Sequence, residues 1–349
     1  MTINDELDET VLRFDRTKNG KGKKSAVRLI PIIAFNEIKL GVKRRYLVGG
    51  LIPRIGIVVV WGPPKSGKSF WTFDLSMHVA LDWPYRGRRI QQGAVIYCAF
   101  EGQSGIEARV EAFRQKHLAE DHEDIPFYIE PVTLNLVREH GELIKAIKAT
   151  LGDIIPAVVI LDTLNRSLQG SESSDEDMTA YVRASDAIRE AFNCVVIIVH
   201  HCGIDSTRPC GHTSLTGACD AQLSVKRDHS QNVIVELECA KDGPQGDRIA
   251  SRLEPVTVGE DEDGEAITSC VIVPTEITAR QDAGEPRLTK NQKTMFSILY
   301  DAGERGLSTE AWNELEVNLT SRVRTNVLGA KSAFFVEVVT RALPLTAAL

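Results

Sequence analysis

The 349-residue sequence has no uninterrupted apolar stretch long enough to cross a bilayer, which takes roughly 20 residues as a helix. Residues Met1 to Asp15 carry no apolar core of a secretory signal. The seven cysteines are an odd set, scattered through apolar runs as at Cys98, Cys194 and Cys239. They do not form a disulfide framework, and a reducing cytoplasm is the expected setting. A basic excess is also missing. Lys and Arg number 41 against 48 Asp and Glu, a net charge of −7, so the overall field does not attract nucleic acid. Binding of that kind needs a local basic surface, such as one assembled in an oligomer. What remains is ordinary for a soluble protein, with 43% hydrophobic and 26% charged residues. The length accommodates one large α/β domain and a small appendage.

One stretch stands apart. Gly62-Pro63-Pro64-Lys65-Ser66-Gly67-Lys68-Ser69 fits the phosphate-loop template GxxxxGK[ST] at every fixed position. Gly56 to Trp61 is a short apolar run of strand type leading into it. From Phe70 to Leu81 the spacing predicts a helix, with Phe70, Phe73, Leu75, Val79 and Leu81 on one face. A strand, a glycine-rich turn and a helix start gather backbone N–H groups and a helix dipole at one point, which suits polyphosphate. Lys68 then reaches the β- and γ-phosphates, and the Ser69 hydroxyl ligates Mg²⁺. The sequence has no Asn-Lys-x-Asp guanine reader, so ATP is the expected nucleotide.

From Ile57 to about Val273 apolar strand-like runs alternate with helical patterns. The strand candidates are Ala94–Ala99, Ala157–Leu161, Val195–Val199, Ala221–Val225, Val233–Cys239 and Ser269–Val273. Helical spacing covers Ile106–His117, Leu143–Leu151 and Met178–Phe192. The early alternation implies βαβ units and a parallel sheet. The later strands follow one another through turns at Asp228-His229-Ser230 and Glu260 to Gly264, implying antiparallel additions at one edge. Residues 1–25, ending in a Lys/Arg-rich run, read as a disordered basic tail. The core is expected over residues 26–278, a linker over 279–288, and a small helical region over 289–349. Its helices at Thr289–Ala302 and Ser308–Leu315 read as the start of a helix-turn-helix or winged helix, which Val317 to Leu349 does not complete.

Further chemistry gathers at strand ends. Ala157 to Asp162 is an apolar strand closed by a carboxylate, and Asp162 is placed in the Mg²⁺ shell beside Ser69. Glu101 follows the strand ending at Ala99, at the ligand edge of a parallel sheet. It is the candidate base for the attacking water, with capping of the next helix as the competing role. His200 and His201 close another strand, where an imidazole senses a γ-phosphate. Zinc is the other chemistry for His200, His201, Cys202, Cys210 and His212, but paired ligand spacing is absent. Adjacent strand residues also point to opposite faces. Lys241 lies in Ala240-Lys241-Asp242-Gly243-Pro244, which by itself reads as an ordinary hairpin.

The order of these motifs resembles the RecA-like ATPases, and more narrowly the RepA-type hexameric plasmid helicases and related phage- or plasmid-borne ATPases. The resemblance covers roughly residues 40–273 and rests most on the phosphate loop and Ile160-Leu161-Asp162-Thr163-Leu164. It implies an α/β fold with a mainly parallel sheet, and ATP with Mg²⁺ on Gly62 to Phe70 and Asp162. It further implies Glu101 as base, His201 as γ-phosphate sensor with His200 as its rival, and a ring of identical subunits, a hexamer in that family. Lys241 matches the cation that such rings insert into a neighbour's site, with Arg248 as the competing finger. Single-stranded DNA is the implied partner. Of the two loops that line the pore in such rings, residues 166–177 are acidic after Arg166 and disfavour a phosphate backbone. The other, residues 203–217, offers Arg208, His212, Thr213 and Ser214, without an aromatic residue for base stacking.

Overall fold

The structure, a computed structural model, describes residues 32–38, 45–118, 124–201, 213–241, 243 and 245–276. The tail over residues 1–25, the linker over 279–288 and the helical region over 289–349 lie outside the described residues, as do Arg208 and His212. A small hairpin, β1 (Tyr46–Val48) and β2 (Ile52–Pro53), precedes the main sheet. Then follow β3 (Gly56–Gly62), α1 (Lys68–Leu81), β4 (Ala94–Ala99), α2 (Gln103–His117), β5 (Phe127–Glu130) and α3 (Leu136–Leu151). After these come β6 (Pro156–Asp162), α4 (Leu164–Ser167), α5 (Asp175–Phe192), β7 (Val195–His201) and α6 (Ser214–Ala218). The strands β8 (Ala221–Arg227), β9 (Val233–Ala240), β10 (Arg248–Glu260) and β11 (Ala266–Pro274) complete it.

Among the described residues the main sheet has nine strands in the order β11-β10-β9-β8-β3-β7-β6-β4-β5. From β5 to β8 neighbours run parallel, and from β8 to β11 they run antiparallel. This is the mainly parallel sheet with an antiparallel edge that the sequence implies. The central strands carry apolar residues at consecutive positions because both faces are covered. Val58, Val60, Tyr97, Ile160 and Val199 pack on the side of α1, while Val59, Ile96, Leu161, Val196 and Ile198 pack with Leu143 of α3 and Ile188 of α5. Among the described residues, no helix is long and apolar enough to cross a membrane.

The short elements β1, β2, β5, α4 and α6 were not expected from the sequence, and two further departures bear on packing. Strand β10 is missing from the expected set, because Pro255 and its charged neighbours break an apolar alternation. Its pairing with β9 covers only Arg248 to Ser251, whereas the β11 ladder runs on to Glu260. Pro255 therefore sits in a two-stranded ribbon, where a missing N–H is tolerated. This ribbon folds onto α2, with Gln115 Nε2 donating to Val258 O at 3.2 Å and Lys116 Nζ 2.6 Å from Glu254 Oε1. The second departure follows from the first. The ribbon also contacts α1, which is buried nearly all round, including Thr72, Asp74 and Ser76, rather than along one stripe.

Burial of Asp74 has a thermodynamic consequence. The side chain lies 3.6 Å from Arg86 Nη2 and 4.0 Å from His78 Nε2. Burial raises its carboxyl from 3.8 to about 7, against the pull of Arg86. Between these values the folded chain holds a proton that the unfolded chain releases, so stability falls as pH rises from about 4 to about 7. Asp74→Asn is expected to be more stable than the parent by about 1–3 kcal/mol at pH 8 and about equal near pH 4. Urea unfolding at the two values checks this, and a variant weaker at pH 8 overturns it.

Candidate functional site

The phosphate loop leaves β3 at Gly62 and enters α1 at Lys68. Its conformation explains its glycines. Gly67 holds a φ of 99°, and a Cβ at Gly62 would lie 2.1 Å from the Val225 carbonyl oxygen of the neighbouring strand. Pro64 and Lys65 are exposed, Lys65 with a φ of 62°, while Pro63 is half-buried and Ser66 N donates to Pro63 O at 3.2 Å. Ser66 Oγ is buried without a hydrogen-bond partner among the described residues. Lys68 Nζ turns back into the loop, donating to Gly62 O at 2.9 Å and Pro63 O at 2.8 Å. An ammonium pinned inside a turn rich in N–H groups, beside an orphan hydroxyl, is a cradle for an anion of several oxygens.

Parallel pairing brings the ends of β4, β6 and β7 to the same edge as Gly62, with Gly62 opposite His201 and Ala99 opposite Asp162. Ser69 Oγ donates to Asp162 Oδ1 at 3.1 Å. His201 Nδ1 lies 3.5 Å from Lys68 Nζ, and its Nε2 lies 3.6 Å from Glu101 Oε2. Thr163 Oγ1 donates to the same Glu101 oxygen at 3.0 Å. Lys68, Ser69, Asp162, Glu101 and His201 thus form one cluster. Helix α2 begins after Gly102 with no side-chain cap, so Glu101 hydrogen-bonds with Thr163 instead of capping that helix.

The tandem histidines are separated by the pleat. His201 is half-buried in the cluster, whereas His200 is fully buried and packs toward the opposite face of the sheet. Among the described residues no group of three or more His, Cys, Asp or Glu could hold a metal. Ser69 and Asp162 still fit Mg²⁺, a hard cation that keeps water and phosphate oxygens as most of its ligands. Two hard oxygens 3.1 Å apart beside the loop supply the protein's share.

Tyr97 and Arg109 are parts of the site that the sequence reading missed. The Tyr97 hydroxyl donates to Asp162 Oδ2 at 2.5 Å. The Arg109 guanidinium stacks over Phe70, 4.4 Å from its ring centroid, within electrostatic reach of Asp162. Burial raises the Asp162 carboxyl above its ordinary value, and the Tyr97 hydrogen bond opposes this. The sequence carried little signal for this, since Tyr97 shares its face with Val95 and Ala99 and reads as one more core residue of β4. Tyr97→Phe is expected to raise by about tenfold the Mg²⁺ concentration that half-saturates nucleotide binding, since one charge-assisted hydrogen bond no longer holds the carboxylate. Titrating Mg²⁺ against a fluorescent nucleotide measures it, and an unchanged midpoint refutes it.

Other candidates lie elsewhere. Lys241 follows β9 at the opposite end of the sheet from the loop, its Nζ 2.9 Å from Asp220 Oδ1, while Asp220 Oδ2 accepts from Ile57 N at the start of β3. Arg248 pairs with Glu236 at 3.3 Å. Thr213 is exposed, and Ser214 Oγ donates to Asp175 Oδ1 at 3.0 Å. That bond ties the start of α6 to the acidic segment, whose charges have local roles. Ser174 caps α5, whose first turn holds Asp175, Glu176 and Asp177, favourable places for carboxylates.

Residues 39–206 match the family model of an AAA domain, a stretch that includes the phosphate loop, Glu101, Asp162 and His201. Among solved structures the chain is similar to that of the RadB recombinase, at 17% identity and a TM-score of 0.42, covering 60% of this chain and 89% of that one. No curated protein matches the sequence. The strand order and the phosphate loop together give an α/β fold of RecA-like arrangement, mainly parallel with an antiparallel edge.

Proposed function

We propose that this chain hydrolyses ATP with Mg²⁺ and works as a ring-forming motor that moves on or remodels single-stranded DNA, in replication or recombination of a mobile element. The observation that carries the hydrolytic part is the convergence of Lys68, Ser69, Asp162, Glu101 and His201 at one sheet edge. Lys68 neutralises charge on the transferring phosphoryl group, and the loop amides orient it. Ser69 and Asp162 would hold Mg²⁺, which when bound would draw charge from the phosphate oxygens. Glu101, with one oxygen held by Thr163, orients the attacking water and takes its proton. His201 bridges Lys68 and Glu101, where an imidazole can report whether a γ-phosphate is present.

The ring rests on Lys241. Its position at the far end of the sheet keeps it from its own phosphate loop, so a catalytic role requires the site of a neighbouring subunit. Positive charge supplied from across an interface ties hydrolysis to assembly. The RepA-type resemblance favours a hexamer, cytoplasmic and without a membrane partner.

The test is phosphate release with and without single-stranded DNA at low and high salt, beside the assembled mass. Turnover is expected to rise with DNA at low salt, fall back as salt releases the strand, and accompany a multi-subunit mass with ATP. Turnover indifferent to DNA at low salt removes the motor reading. It leaves a nucleotide-switched binder of protein partners, which the acidic charge balance favours.

A further inference from the structure

The cluster accounts for the triphosphate end of a nucleotide, and the sheet order points to the flank that would receive the rest. Glu101, Asp162 and His201 stand at the ends of β4, β6 and β7, all on one flank of β3. On the other flank lies β8, followed by the turn into β9. A nucleoside triphosphate seated on the loop with its γ end toward Glu101 directs its ribose and base away from those strands, toward β8.

What stands there is Arg227, the last residue of β8. A Cβ built on Gly67 would lie 3.7 Å from Arg227 Nη2 and 2.9 Å from Val233 Cγ2, so the turn presses directly on the loop. Arg227 Nη1 donates to Gln231 O at 2.5 Å, which holds the guanidinium against its own turn. The turn itself is closed by its own hydrogen bonds. Asp228 N donates to Asn232 O at 3.1 Å, and the Asp228 carboxylate accepts from Asn232 N at 2.8 Å and Asn232 Nδ2 at 2.9 Å. Among the described residues Arg227 pairs with no carboxylate, and it is only half-buried. A planar cation, fixed by its turn and without a counter-charge, presents a face and free N–H groups to a nucleobase and its sugar.

We propose that Arg227 and the Asp228–Asn232 turn form the nucleoside subsite, with the guanidinium stacked on the base of the bound nucleotide. This rests on the phosphate-loop reading and extends it to the half of the substrate that the loop does not touch. It also gives a physical source for preferring a nucleotide over bare polyphosphate.

The experiment compares calorimetric affinities of the full chain for Mg²⁺-ATP and for Mg²⁺-tripolyphosphate, in the parent, Arg227→Ala, Arg227→Lys and Lys68→Ala. Arg227→Ala is expected to weaken ATP about tenfold or more, the scale of one stacked cation, and to leave tripolyphosphate unchanged. Arg227→Lys is expected to resemble Ala more than the parent, because an ammonium keeps the charge without the plane. Unchanged tripolyphosphate binding also shows that the variant is folded. Equal losses for both ligands make Arg227 a phosphate contact and overturn the subsite, as does no loss for either. If the parent binds neither ligand and Lys68→Ala changes nothing, the phosphate-loop reading falls, and the subsite with it.

Discussion

Lys68→Ala is expected to lower turnover by about a hundred- to a thousandfold, the scale on which one positioned donor to a developing charge acts. The expectation follows from where Nζ is held. Lys68 is 5% exposed, and its ammonium rests on two carbonyl oxygens of its own loop, Gly62 O and Pro63 O. It therefore needs little reorganisation to meet a phosphate. Two of its three protons are directed at the loop carbonyls, and Nζ also lies 3.5 Å from His201 Nδ1, so the ammonium is positioned by its neighbours. Removing the side chain leaves two carbonyls short of one donor each, a deficit that buried C=O groups tolerate better than N–H groups do. The fold should consequently survive while nucleotide affinity and turnover both fall. Lys68→Arg is expected to rescue little, since a planar fork cannot reproduce two bonds made by a compact ammonium inside a turn. Nucleotide binding and phosphate release, measured on the same preparations, read the two effects apart. Turnover within about tenfold of the parent would place the active site away from this loop, because one such donor is worth more than that.

The parts of this architecture that were legible in the sequence are those set by local pattern. Strand β4 matches its expected bounds, Ala94–Ala99, because six apolar residues in a row between polar turns fit only a strand covered on both faces. The phosphate loop and Asp162 were legible for the same reason, each being a short motif fixed to the end of such a strand. The helices extended toward their N-termini beyond the expected bounds. Asn135 and Ser174 cap α3 and α5, and the polar first turns that follow carry no apolar spacing to read. What local pattern could not supply was strand β10, the partner of the expected Ser269–Val273 strand in the β10–β11 ribbon, and the role of Tyr97. The ribbon is stabilised by packing on α2, a contact between segments more than a hundred residues apart in sequence, as in the pair Gln115 and Val258. Tyr97 looked like one more core residue, because its partner Asp162 is adjacent only through the pairing of β4 with β6. The choice between His200 and His201 was likewise a matter of which face of β7 meets the loop. Period two separates the pair, but only the sheet says which side is which.

Glu101→Gln is expected to lower turnover by about a hundred- to ten-thousandfold, the range of a lost general base, while leaving nucleotide binding near that of the parent. The split between the two quantities is the substance of the prediction. A glutamine amide occupies the same volume and keeps a carbonyl oxygen to accept from Thr163 Oγ1, whose bond to Glu101 Oε2 is 3.0 Å. The side chain is 41% exposed, so exchanging its carboxylate for an amide costs little in burial. What is lost is the capacity to take a proton and the negative charge facing His201 Nε2 at 3.6 Å. Were Glu101 a structural anchor for α2, the conservative change would lower the unfolding midpoint and spare turnover. Helix α2, however, starts at Gln103 without a side-chain cap, so no anchoring bond is removed. The variant should accumulate as a nucleotide-bound protein, which makes it the right partner for a mixing experiment. Combined with Lys241→Ala, whose own phosphate loop and Glu101 are intact, it supplies the cation that the other lacks. Mixed assemblies should then regain part of the parent's phosphate release through sites in which Lys68, Glu101 and a neighbour's Lys241 are all present. Mixtures no more active than the two variants alone would mean that Lys241 does not act across an interface. The proposed hydrolytic role of the cluster at the ends of β4, β6 and β7 would then stand without the ring.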